Sequence, residues 1–290
     1  MDRVDVVLSS RAELAEGPVW HPEERALYWV NIKAREIHRF DPATGHDQFW
    51  KTPADVGSIG LRARGGMVVA LKTGFFFFEP PGSFRAIAEP EPDLPDNRFN
   101  DGKTDRQGRF WAGSLYDPDE SRPTGGLYRL DRDLSCHRLV DGIHASNGLA
   151  FSPDSRTVYY ADSRRRTVWA WDFDAASGTL SNRSVFIELK GSEGTPDGAA
   201  VDDDGCYWLT QPPAGLIVRY DPKGRIDRIV RMPVSQPTCV AFGGPRMDTL
   251  YVTTATYRMP AQALAGEPLA GALFAFSPGI SGPPDAYFAA

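Results

Sequence analysis

Glu16, Asn147 and Asp197 each open a stretch of one pattern: EGPVWHPEERALYWVN, NGLAFSPDSRTVYYAD and DGAAVDDDGCYWLTQ. In each, a polar residue precedes a short apolar strand, a turn and a second apolar strand. Two chemistries are open to an acid or amide at the mouth of a strand. It can cap a turn, as Asn-Gly and Asp-Gly do where a chain reverses. It can also converge with its counterparts from other units, where carboxylate and amide oxygens together suit a hard divalent cation. One position alone favours the turn; three at one phase of a repeat favour the shared site.

The repeat extends beyond these three. DGKTDRQGRFWAGS from Asp101 and TCVAFGGPRMDTLYVTT from Thr238 fit the same frame, and SIGLRARGGMVVALK from Ser58 fits it more loosely. Six units therefore recur, roughly every 41–50 residues, and a third strand follows in each, as in EIHRFDPATG, GGLYRLDRD and LIVRYDPKG. That period accommodates a four-stranded antiparallel sheet with tight turns. The pattern predicts an all-β fold, a six-bladed β-propeller occupying residues 1–290 as one domain. Open ends would expose sheet edges, so an N-terminal strand near residues 4–8 is expected to complete the last blade. The inserts at 116–124 and 257–270 read as loops that could border a pocket, the second with a helical turn.

In a propeller the first strand of every blade lines the central channel. The ring partners of Asn147 are then Glu16, Ser58, Asp101, Asp197 and Thr238, with Asn100 one step before its register position. Two or three carboxylates converging on an axis repel one another unless a cation sits among them, so a central metal site is expected. Oxygen-rich ligands favour calcium, magnesium or manganese; zinc and iron(II) remain open with a low ligand count. The absence of histidine from the ring counts against zinc.

Composition narrows the class further. At 290 residues and 41% hydrophobic content the chain can bury a large core, while 28 glycines and 24 prolines fit frequent turning. A net charge of −6 without a long basic run argues against nucleic-acid or anionic-membrane binding. The run Arg164-Arg165-Arg166 reads as a solvated hairpin tip. Cys136, Cys206 and Cys239 are too widely spaced for a disulfide framework or a CxxC metal site and read as inert thiols. No leader-like segment and no long apolar run is present, so a soluble cytoplasmic protein is expected. VDDDGCYW lacks the spacing of a calcium loop and reads as a hairpin turn, and His21 reads as a turn residue. His144, three residues before Asn147, could approach the site. No GxSxG, Walker loop or GxGxxG is present to support serine hydrolase or nucleotide chemistry.

The ordered set LAEGPVW, NRFNDGKTDRQGRFWAGSL, SNGLAFSPDSRTVYYADS, TPDGAAVDDDGCYWL and FGGPRMDTLYVTTA resembles the regucalcin, gluconolactonase and senescence-marker-protein family over nearly the whole chain. The resemblance implies a sugar lactonase with one divalent cation in the channel, calcium first among the candidates. It assigns metal ligation to Glu16, Asn147 and Asp197, and substrate contacts to Arg98 and Asn100. The repeat register favours Asp101; a local bulge would shift the phase by one and turn Asn100 to the pocket instead. Some members carry an acid beyond the AGS strand that grips substrate hydroxyls. Here that neighbourhood reads Tyr116-Asp117-Pro118-Asp119, and Asp117 or Asp119 is the expected substitute.

On this reading the cation polarises the lactone carbonyl and Asp197 serves as general base as well as ligand. Arg98 grips hydroxyls or the emerging carboxylate, and Asn100 orients the substrate. The substrate is a small aldono-1,4- or 1,5-lactone such as the glucono, xylono, arabinono or galactono compound, opened to its aldonic acid by a monomer or weak oligomer. Rival readings are a propeller esterase or organophosphate hydrolase, a non-catalytic calcium-binding protein, and an interaction scaffold.

Overall fold

In the computed structural model, residues 3–118 and 120–290 are described. Asp119, one of the two candidate acids after the AGS strand, lies outside them.

Six four-stranded antiparallel sheets succeed one another along the chain. Five are simple meanders: blade 1 covers residues 15–51, blade 2 residues 56–88, blade 3 residues 97–143, blade 4 residues 146–188 and blade 5 residues 199–231. Blade 6 joins Pro237–Gly243, Thr249–Thr254 and Leu273–Phe276 to the N-terminal strand Asp5–Leu8. The pairing sets Asp5 opposite Ala275 and Val6 opposite Phe274, so the first strand of the chain closes the last sheet.

Burial falls from the channel outward, and the sequence pattern follows it. In blade 1 the inner strand Ala15–His21 and its neighbour Ala26–Asn31 are almost wholly buried. The third strand, Glu36–Asp41, mixes buried and half-buried positions, and the outer strand, His46–Lys51, is mostly exposed. Strands covered on both faces read as continuous apolar runs and half-covered ones as alternation. Six apolar clusters hold the ring, each straddling two neighbouring blades: Val30 and Val69 belong to the one between blades 1 and 2, Trp29 and Leu273 to the one between blades 6 and 1.

The acid-rich turns divide by environment. In VDDDGCYW, Asp202 accepts hydrogen bonds from the amides of Asp204 and Cys206, from Trp208 Nε1 at 2.8 Å and from Arg219 Nε at 2.7 Å. Asp105 repeats this role with Arg109 and Trp111. Both are fully engaged turn acids. The insert after Thr254 contains the short helix Ala261–Gly266. No helix among the described residues is long and apolar enough to cross a membrane.

After Phe276 the chain does not leave the ring. Asp203 N donates to Ser281 O and Gly282 N to Met247 O. Lys103 Nζ, on the inner strand of blade 3, lies 3.4 Å from Asp285. Phe288 N donates to Leu61 O, and its ring is fully buried between blades 2 and 3. This C-terminal strap crosses the far end of the inner strands, away from Glu16 and Asn147.

Candidate active site

The inner strands do not run as smooth ladders. Pairing shifts register between Glu16 and Val19 in blade 1, between Phe99 and Gly102 in blade 3, and between Asn147 and Ala150 in blade 4. Each shift is a bulge at the channel mouth, a device that re-aims side chains. Gly17 (φ 50°) and Gly148 (φ 63°) supply the left-handed backbone that two of these bulges need. Asp197 sits just before the inner strand Ala199–Val201, anchored by its amide to Thr210 O at 3.0 Å. The Asn-Gly of blade 4 is thus a bulge rather than a hairpin turn. The blade 3 bulge brings both Asn100 and Asp101 into the buried interior.

Glu16 and Asp197 meet there as a hydrogen-bonded pair of carboxyls. Burial pushes both well above the usual carboxylate range. Glu16 is raised further by the charge of Asp101, and Asp197 by the charges of Glu16 and Asp101. Two carboxyls at this approach titrate as one pair and share a proton. Asp101, pushed up to about 6 by burial, accepts a hydrogen bond from Leu149 N at 2.8 Å and ties blade 3 to the bulge of blade 4.

Asn147, at the bulge of blade 4, has its amide fixed at both ends. Its Nδ2 donates to Ser163 Oγ at 2.7 Å, and its Oδ1 accepts from Asn100 Nδ2 at 2.8 Å. Asn100 Oδ1 in turn accepts from Arg98 Nη1 at 2.6 Å, while Arg98 Nε donates to Asp117 Oδ1 at 2.5 Å. Lys33 Nζ donates to Asp117 Oδ2 at 2.8 Å and to Asp55 Oδ2 at 3.0 Å. Burial alone would raise the Asp117 carboxyl, but the charge of Arg98 and the hydrogen bond from Lys33 outweigh it and hold the group below its ordinary value.

Glu16, Arg98, Asn100, Asn147 and Asp197 are therefore linked in one cluster, with Asp117 at its edge. Asp117, expected to grip substrate, is taken up by two cations. Ser58 and Thr238 do not join the acids: Ser58 is buried in its strand, and Thr238 donates to Ala15 O at 2.5 Å. Lys33 and Ser163 escape the sequence pattern because they come from loops at the mouth, outside the repeat. The structure also moves Arg164 from an anonymous hairpin tip to the wall of a pocket. Arg98, Tyr116, Asp117, His144, Tyr257 and Arg258 line that pocket with it. His144 binds Ser121 Oγ through Nδ1 at 2.8 Å. Cys239 lies buried below the cluster with its thiol raised far above its ordinary value, and all three cysteines are unpaired.

The donor set decides what this cluster could hold. Two carboxylates forced together and an oriented amide oxygen are all hard oxygen ligands, and a divalent cation relieves the same repulsion that a proton relieves here. Among the described residues no group of three or more His, Cys, Asp or Glu side chains is arranged to hold a metal. A cation at this place would take two carboxylates and an amide from the chain, with positions left over for water and substrate.

The chain is similar to known proteins along nearly its whole length. The model of the SMP-30/Gluconolactonase/LRE-like region matches residues 14–256. The 6-deoxy-6-sulfogluconolactonase of Pseudomonas putida is 37% identical over 285 residues, covering 98% of this chain and 97% of its own. Regucalcin of Danio rerio is 37% identical over 290 residues, covering 98% of each. Among solved structures, the calcium-binding protein regucalcin of Agrobacterium tumefaciens superposes with a TM-score of 0.94 at 28% identity, covering 99% of this chain and 97% of its own. Matched along nearly its whole length in sequence and in fold, the chain belongs to the SMP-30/gluconolactonase family.

Proposed function

We propose that the protein is a divalent-metal-dependent sugar lactonase. The observation that carries this is the buried Glu16–Asp197 pair under the charge of Arg98, which is joined through Asn100 to the oriented Asn147 oxygen and lines a pocket. The similarity to the Pseudomonas sulfogluconolactonase supports lactone opening, and the similarity to the calcium-binding Agrobacterium regucalcin supports calcium as the first ion to test. Magnesium, manganese, zinc and iron(II) are the other candidates.

A cation held by Glu16, Asn147 and Asp197 would supply Lewis-acid polarisation of the lactone carbonyl. The chain supplies the rest. Asp197 takes a proton from the attacking water, whose oxygen adds to the carbonyl carbon. The ring C–O bond then breaks, and the departing ring oxygen recovers a proton to leave the open hydroxy acid. Arg98 donates to the substrate or to the new carboxylate, Asn100 sets its orientation, and Asp117 holds Arg98 in place from the pocket wall. No covalent nucleophile is needed. The reading places the enzyme in the cytoplasm, in carbohydrate breakdown.

Acid release from glucono-, galactono-, xylono- and arabinonolactone, with aliphatic and aryl esters alongside, tests the reaction once spontaneous opening is subtracted. At least one lactone should be opened by the metal-loaded protein, and Asp197→Ala should lose that activity while melting cooperatively. Faster turnover of the esters than of every lactone would move the protein to the esterase reading; substantial activity in Asp197→Ala would remove Asp197 from the mechanism.

A further inference from the structure

The hydrogen bonds through Asn147 all run in one direction. Arg98 Nη1 donates to Asn100 Oδ1 at 2.6 Å and Asn100 Nδ2 to Asn147 Oδ1 at 2.8 Å. Asn147 Nδ2 then donates to Ser163 Oγ at 2.7 Å, and Ser163 Oγ to the Pro196 carbonyl at 2.6 Å. A guanidinium can only donate and a carbonyl can only accept, so both ends of this chain are fixed in sense. With its one proton committed to Pro196, the Ser163 hydroxyl can only accept from Asn147. The Asn147 amide must therefore turn its nitrogen to Ser163 and its oxygen to the opposite side. Asn100, whose nitrogen also donates to Ser146 O at 2.8 Å, is set in the same sense.

Two further features single out Ser163. Pro196 is the residue before Asp197, so the hydroxyl joins an amide of blade 4 to the segment that carries an acid into blade 5. The serine backbone, in turn, is held without help from that hydroxyl. Its N donates to Ala145 O at 3.0 Å, and the preceding Asp162, fully buried, accepts from the amides of His144, Ala145 and Arg164 at 2.9–3.1 Å. With alanine at 163 the loop keeps these bonds, and what is lost is the acceptor for Asn147. We propose that Ser163 is a positioning residue for the cation: it makes Asn147 offer oxygen rather than nitrogen, and it ties that amide to the segment of Asp197. This rests on the metal-dependent reading, which takes Asn147 and Asp197 as ligands. Groups that orient a metal's ligands govern its affinity by about ten- to a hundredfold.

The test is calorimetric titration of calcium into chelator-treated protein, in wild type, Ser163→Ala, Asn147→Asp and the double variant. Ser163→Ala should bind calcium about tenfold more weakly while still melting cooperatively, and its acid release from a lactone should recover as calcium is raised to saturation. In the Asn147→Asp background the same change should cost less than about twofold, since a carboxylate offers an oxygen on either side. An equal loss in both backgrounds would overturn the proposal by making Ser163 a brace for the loop alone. Calcium binding by wild type that Ser163→Ala leaves unchanged would overturn it while leaving the metal-dependent reading intact. If wild type binds none of the five candidate cations, that reading fails and the proposal falls with it.

Discussion

Two carboxyls pressed together in a buried channel set the behaviour of this protein at the scale of single residues. Glu16, Asp197 and Asp101 are all raised above their ordinary range, so the folded state holds protons that the unfolded chain has released. Where the folded state binds more protons, stability falls as pH rises. For Asp101 the window runs from 3.8 to about 6, and the Glu16–Asp197 pair extends it upward. Thermal scans of chelator-treated protein should therefore show the melting temperature declining from about pH 5 to about pH 8. An added divalent cation should reverse the decline, and by more at the higher pH. A flat profile, or a cation effect that shrinks with pH, would contradict the arrangement.

Glu16, Asn147 and Asp197 were legible because they occupy one phase of a repeat. Lys33 and Ser163 were not: each reaches the site from a loop, and no spacing marks the lysine that neutralises Asp117 or the hydroxyl that fixes the Asn147 amide. Arg164 was illegible for the same reason, since a sequence of three arginines does not reveal which one faces a pocket.

At the scale of the element, the bulge is the working unit. It lets a buried, apolar inner strand present a polar residue at its mouth without breaking the rest of the ladder. In blade 4 it depends on Gly148, whose φ of 63° is joined to a close approach: an added Cβ would stand 2.5 Å from Tyr207 Oη and 3.0 Å from Ala161 Cβ. Gly148→Ala should cost about 1–3 kcal/mol and weaken cation binding, because Asn147 is the preceding residue. Urea unfolding with a parallel calcium titration checks both, and an unchanged midpoint would show that the bulge relaxes freely. The repeat frame revealed the strands themselves. It did not settle Asn100 against Asp101, because a bulge changes phase locally and only pairing partners expose it.

Across the whole molecule, the ring is closed twice. Strand Asp5–Leu8 completes blade 6 in the way the open-edge argument requires. The strap from Ser281 to Ala290 adds a second tie, passing from blades 5 and 6 to blades 2 and 3 and covering the channel opposite the site. Nothing in the sequence announced it, since the strap has neither strand alternation nor helical period, and its hold comes from scattered contacts. Its anchor is Phe288, fully buried among Phe77, Phe110 and Val68. Phe288→Ala should lower stability by about 3–5 kcal/mol, read as a drop in the denaturation midpoint; a loss under about 1 kcal/mol would mean that the strap is dispensable to the ring.

The central claim is that this closed ring positions Glu16, Asn147 and Asp197 to hold one cation for lactone opening. It is tested most directly by following acid release from glucono-1,5-lactone as calcium is returned to chelator-stripped protein, with spontaneous opening subtracted. The account predicts a rate that falls to background on stripping and climbs to a plateau at a single equivalent of cation per chain. A rate indifferent to stripping, or none with any of the five candidate cations, would contradict it.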